Sequence, residues 1–128
     1  MNFEDWTTGE KTAYLLDKLG APPQNKGYAY IIRAVELTVE ERTIRLITKD
    51  LYPRIAKEFK TEGARVERAI RHEIKKVFTC GPLKVVNALF NSSVITTAGV
   101  VTNATFIATL ASLITFSKHH PIWTGEIQ

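Results

Sequence analysis

Five residues within one short stretch, Arg65, Glu67, Arg68, Arg71 and His72, have the types and spacing to read a nucleic-acid groove. At about 100° per residue, Arg65, Arg68, Arg71, His72 and Lys75 fall on one side of a helix. Val66, Ile70, Ile74 and Val77 fall on the other. A helix of this kind docks by its apolar stripe and offers a row of long cationic donors to a groove. Arginine suits the task because its fork can bond guanine O6 and N7 together, whereas lysine mostly finds phosphates. Glu67, at the flank of the row, can accept from a cytosine amino group or pair with Arg71 one turn on, and the two roles can coexist.

Other chemistries find little support. Cys80 is the single cysteine, which excludes an internal disulfide and any multi-cysteine metal or redox motif. Beside Gly81-Pro82 it reads as a structural thiol. His119 and His120 are adjacent, so they cannot face one metal as a helical i, i+4 pair would, and they read as an exposed tail. No phosphate-binding glycine loop, no HExxH and no nucleophile–base set is present in the sequence. Neither an enzyme, a metal nor a cofactor is expected. Trp6 and Trp123, near the termini, are expected to pack against the body.

The elements that must carry the arginine row follow from apolar periodicity and stop signals. Thr12, Leu15, Leu16 and Leu19 predict a first helix ended by Gly20 and Pro22-Pro23. Tyr28, Ile31, Ile32, Val35 and Val39 predict a second over 28–41. A third is expected over 44–59, with Pro53 at its first turn or at a kink. A fourth spans 62–78 with Thr61 as N-cap, a short fifth 83–90, and a last 103–117 capped by Thr102 or Asn103. The Ser/Thr/Val/Gly-rich stretch 91–102 is expected as an ordered loop. The fold class is all-α, six helices in one domain: a lead over 1–10, the domain proper over 11–117, and a tail over 118–128. Within it, 52–71 fits a helix-turn-helix. Ala56 is the small residue at the close approach, Ile55 and Phe59 face the core, and Lys60-Thr61-Glu62-Gly63 forms the break.

Charge supports a polyanion as partner. The 128 residues carry a net +4, but it is unevenly placed: −3 over 1–41, +6 over 42–76 and +1 over 77–128. A basic excess confined to the middle suits nucleic acid or a membrane surface, or else a solvated, charge-mixed helix face. Lys49, Lys57, Lys60, Thr61, Lys75 and Lys76 surround the motif and are the expected phosphate contacts. No basic-apolar leader is present at Met1, which leaves the cytoplasm as the expected compartment.

These residues resemble one family. The runs Lys26-Gly27-Tyr28, Ile47-Thr48-Lys49, Leu51-Tyr52-Pro53, Ile55-Ala56-Lys57 and Val66-Glu67-Arg68-Ala69-Ile70-Arg71-His72 are similar to the C-terminal effector domain of the sporulation stage-zero response regulator. The likeness continues through Leu89-Phe90 and Thr102-Asn103 to Phe106-Ile107-Ala108, covering roughly 11–111. It implies a six-helix domain that binds a GTCGA-containing box as paired copies and engages the RNA polymerase sigma subunit. It also implies base contacts at Arg65, Glu67, Arg68, Arg71 and His72. The chain departs from the family pattern in three ways. About ten residues precede the first helix, too few for a phosphoacceptor receiver; if Met1 is the native start the domain is expected not to be gated by phosphorylation in cis, and a truncated chain is the alternative. Ala98, Val100 and Val101 stand where lysines and a proline are usual. Glu73 replaces a small residue near the apolar side of the recognition helix; it either pairs with a basic residue of the preceding helix or strains the packing. An alternative reading is an interaction module or antagonist that engages a full-length homologue or the sigma subunit with little DNA binding.

No charge occurs from Val85 to Ser117. Asn103, Ser112 and the interleaved threonines argue against a membrane span. Apolar side chains around helix 103–117 instead suggest that one face meets the body and another a second subunit, with Phe106, Leu110, Leu113 and Ile114 in a homodimer interface.

Overall fold

A computed structural model describes residues 3–41, 48–90, 101–125 and 127, with the side chains of Thr48 and Lys49 outside the description. The described residues form six α-helices: α1 (Thr8–Lys18), α2 (Lys26–Glu40), α3 (Thr48–Glu58), α4 (Gly63–Cys80), α5 (Leu83–Leu89) and α6 (Asn103–Phe116). Two 3₁₀ turns flank them, Phe3–Asp5 and Pro121–Thr124. The all-α, six-helix expectation agrees with this architecture. The loop expected over 91–102 lies outside the described residues except for Val101 and Thr102, as does the expected start of the third helix.

Local chemistry explains most helix ends. The first helix begins at Thr8, earlier than its apolar pattern, because Thr7 and Glu10 form a capping box. The Thr7 hydroxyl accepts from Glu10 N at 3.1 Å and the Glu10 carboxylate from Thr7 N at 2.8 Å. Gly20 takes the left-handed conformation (φ 79°) just past the end of α1. At α6 the cap is Thr102, which accepts from Thr105 N at 3.2 Å. Pro53 falls in the second turn of α3, past the first turn, one of the two places expected for it. The N-cap of α4 is Glu62 and not Thr61, whose N–H instead bonds Ala56 O at 2.9 Å and closes the end of α3.

Helix α2 is the centre of the packing: α1, α4 and α6 all lie against it, and α3 packs mainly on α4. The core runs through Leu15, Leu16, Ile31, Val35, Ile55, Val66, Ile70, Ile74, Phe90 and Phe106, all buried. The termini join it. Phe3 stacks on Trp123 (4.9 Å), Trp123 on Tyr14 (5.7 Å), and Tyr14 Oη donates to Ile122 O at 2.6 Å. Trp123 and Ile122 are therefore packed rather than part of a loose tail, while His119 stays exposed and His120 accepts from Ile122 N. Cys80, read above as structural, is exposed at the end of α4.

The four α6 side chains assigned to a dimer interface are a correction. Phe106, Leu110, Leu113 and Ile114 are buried in the chain's own core, because α6 lies across α2, α1 and α4 together. The absence of charge in this helix follows from that position. Its outward residues are Ala104, Ala108, Ser112 and Phe116, and only Phe116 is a large exposed apolar group. No described helix is long and apolar enough to cross a membrane.

The tightest contact joins α2 to α4. A Cβ on Gly27 would stand 2.3 Å from the Ala69 carbonyl oxygen and 2.9 Å from Glu73 Cβ, so only glycine fits. Glu73 lies in the same seam, fully buried, and neither carboxyl oxygen has a hydrogen-bond partner. The pairing with a basic residue considered for it is absent among the described residues. Burial pushes its pKa above the ordinary carboxylate range; the Asn25 side chain, outside hydrogen-bond geometry, opposes the shift.

Two outcomes follow from this seam. Gly27→Ala should destabilise the fold by about 1–3 kcal/mol in urea unfolding, since backbone and not a flexible side-chain tip must give way. For Glu73, a raised native pKa means the folded state holds its proton where the unfolded state has lost it. Stability should fall as pH rises from the ordinary carboxylate value, near 4.5, through the higher native value, and then level off. Glu73→Gln should remove that descent; parallel pH profiles for the two proteins would show that the carboxyl is not the titrating group.

Candidate nucleic-acid interface

Helix α4 presents the row the sequence predicted. Val66, Ile70, Ile74 and Val77 are buried, while Arg65, Arg68, Arg71, His72, Lys75 and Lys76 are exposed and Glu67 half-buried. The apolar stripe seats α4 on α2 and α3 and turns the cations outward.

The break between α3 and α4 is tight. Helix α3 ends at Glu58, and Lys60 takes a left-handed conformation (φ 56°), the only non-glycine residue among those described to do so. Glycine is the unstrained occupant of such a corner, so the lysine here puts a cation on it at a conformational cost. Phe59, expected in the core, is corrected by this geometry. It lies past the helix end, 43% exposed, with its ring edge-on to Tyr30 at 5.1 Å. Ile55 and Ala56 are buried as expected.

Three polar links hold the motif. Arg33 of α2 grips Glu58 of α3 by two hydrogen bonds, Nε at 2.7 Å and a terminal nitrogen at 3.1 Å. The pair favours both charged forms, holding Glu58 below the usual carboxylate range. Arg54 of α3 pairs with Glu41, just beyond α2. Asn103, at the start of α6, donates from Nδ2 to Tyr52 Oη at 2.9 Å and to Glu67 O at 3.2 Å, tying α6 to both helices of the motif. Tyr52 is buried, and that burial raises its pKa.

Within the row, Arg71 pairs with Glu67 one turn away, the partner role considered for Glu67. Arg65 stands 3.7 Å from Glu62. Among the described residues Arg68 has no ion-pair partner. Of the expected phosphate contacts, Lys57, Lys60, Lys75 and Lys76 are exposed and Thr61 half-buried; the Lys49 side chain lies outside the described residues.

Two clefts lie on the flank of α4 that faces α2. One, about 320 Å³, is bounded by the first turn of α2, the α3–α4 corner and Arg65. The other, about 550 Å³, lies between Asn25–Gly27 and the His72–Thr79 part of α4. Lys26 borders both. Sequence reasoning gave Lys26 no role, since nothing in the local pattern places it beside a helix more than 30 residues on. Among the described residues no group of His, Cys, Asp and Glu could hold a metal ion.

The family described as sporulation initiation factor Spo0A C terminal matches residues 12–114, a span that takes in α2 to α5 and most of α1 and α6. With that match over most of its length, the chain belongs to the Spo0A C-terminal family, the DNA-binding effector domains of sporulation regulators.

Proposed function

We propose that this domain is a sequence-specific transcription regulator that lays α4 in the major groove of a GTCGA-type box. The observation that carries the reading is the exposed row Arg65, Arg68, Arg71 and His72, set opposite a fully buried apolar stripe on one helix. Arg68, unpaired and near the middle of the row, is the first choice for a bidentate guanine contact. Arg65 and Arg71, with His72 and Glu67, flank it. Lys49, Lys57, Lys60, Thr61, Lys75 and Lys76 supply the phosphate contacts that fix register. Binding as paired copies on neighbouring half-sites, and contact with the RNA polymerase sigma subunit, belong to the reading on the family likeness alone. The buried α6 side chains do not serve the first. Nothing in the reading calls for catalysis or a cofactor.

The test is an anisotropy titration against a GTCGA-containing duplex and a scrambled one at fixed salt. Arg68→Ala or Arg65→Ala should cost about 1–3 kcal/mol on the GTCGA duplex and less on the scrambled one. Equal losses on both would reduce these arginines to phosphate contacts, and no loss would favour the interaction-module reading. Repeated over a salt series, log affinity should fall linearly with log salt, with a slope of about −0.9 for each phosphate neutralised. A flat line would mean that the basic face of α4 is not the binding surface.

A further inference from the structure

The two clefts beside α4 share one wall residue, Lys26, and it stands on a helix outside the helix-turn-helix. Its ammonium has no ion pair among the described residues, and neither do Lys60 and Lys76. No carboxylate lines the smaller cleft. Glu73 borders the larger, but its side chain is fully buried, with none of its surface open to solvent.

These cations follow one line along the flank of α4. Lys60 and Arg65 stand at its N-terminal end, Lys26 midway where the clefts meet, and Lys76 toward its C-terminal end. The eleven steps from Arg65 to Lys76 rise about 16 Å along the helix axis. A DNA strand carries one phosphate per about 3.4 Å of the duplex axis, and spaces them wider along its own winding path, so more than one phosphate fits beside a track of that length. A helix in the major groove has one strand on each flank as a groove wall. Lysine, a compact point charge on a long stem, suits such a wall better than it suits a base edge. The positive end of the α2 dipole lies at Lys26 and adds to the local potential.

We propose that Lys26 contacts a DNA backbone phosphate and, with Lys60 and Lys76, forms a track for one strand along the α2 side of the recognition helix. The inference rests on the DNA-binding reading above and adds a contact from a helix outside the motif. It accounts for the cation on the left-handed corner at Lys60, which faces the same cleft.

The test is Lys26→Gln in the full chain, titrated over a salt series with the GTCGA and the scrambled duplex. Lys26 is exposed, so the far-UV circular dichroism should match that of the unmodified protein. The expected result is an equal fold-loss of affinity on both duplexes and a salt slope shallower by about 0.9, with Lys26→Arg restoring the original slope. Unchanged affinity and slope in Lys26→Gln would overturn the proposal, as would a loss confined to the GTCGA duplex, which would mark a base contact. If the unmodified protein shows no salt-dependent binding to either duplex, the DNA-binding reading fails and the track with it. Normal binding by the unmodified protein with an indifferent Lys26→Gln overturns the track alone.

Discussion

The position of α4 depends on a place where a side chain is missing. At Gly27 the α2 backbone meets the Ala69 carbonyl so closely that a single methyl group would collide with it. Backbone contact of this kind sets a distance more strictly than interdigitated side chains, which can change rotamer to absorb an error. The rest of α4 is placed from that contact. Val66 and Ile70 join the same buried core as Ile31 and Val35 of α2, and Arg65, Arg68, Arg71 and His72 turn to solvent. The N-terminus of α2 is also held against α4, which is why Lys26 borders the two clefts at all.

Glu73 shows what such a seam demands. A carboxyl buried in the seam has neither solvent nor a hydrogen-bond partner, and that burial raises its pKa. Proton loss would place a charge between α2 and α4 at the point where their separation is most constrained. The lysines lining the cleft, Lys26, Lys75 and Lys76, are exposed, and none reaches the carboxyl in an ion pair. A residue unsuited to the core is tolerated on a helix whose other inward positions, Val66, Ile70, Ile74 and Val77, are wholly apolar.

Much of this was legible in the sequence because the governing interactions are local. The apolar stripe of α4 obeys a 3.6-residue period, and the structure buries every member of it. The elements that departed from expectation are those decided by partners far along the chain or by the exact path of a turn. Phe59 looked like a core residue by spacing, but the helix ends one residue before it and the left-handed corner at Lys60 carries its ring to the rim. The Thr7–Glu10 capping box was a readable signal, and it lengthens α1 into the expected lead. For α6, composition alone could not distinguish burial within one chain from burial between two, since both call for the same apolar residues. Lys26 and Asn103 gain their roles only when α2 and α6 are brought beside the motif, across separations that no periodicity reports.

On the proposed reading, the arginine row is held ready for DNA without being locked. Glu67 pairs with Arg71, and Arg65 stands near Glu62, yet none of the four side chains is buried. Exposed pairs of this kind are worth only about 0–1 kcal/mol, so exchanging a carboxylate for a base edge or a phosphate costs little. In the free protein the carboxylates restrain long side chains that would otherwise lose rotamer freedom on binding. They also oppose unspecific attraction to any polyanion, which a row of bare cations would maximise. The links that must not yield are elsewhere: Arg33 to Glu58 between α2 and α3, and Asn103 to Tyr52 and the Glu67 carbonyl. Asn103 binds the backbone of the residue whose side chain restrains Arg71. The α6 contact thus fixes the helix beneath the arginines while the carboxylate above it stays free to exchange.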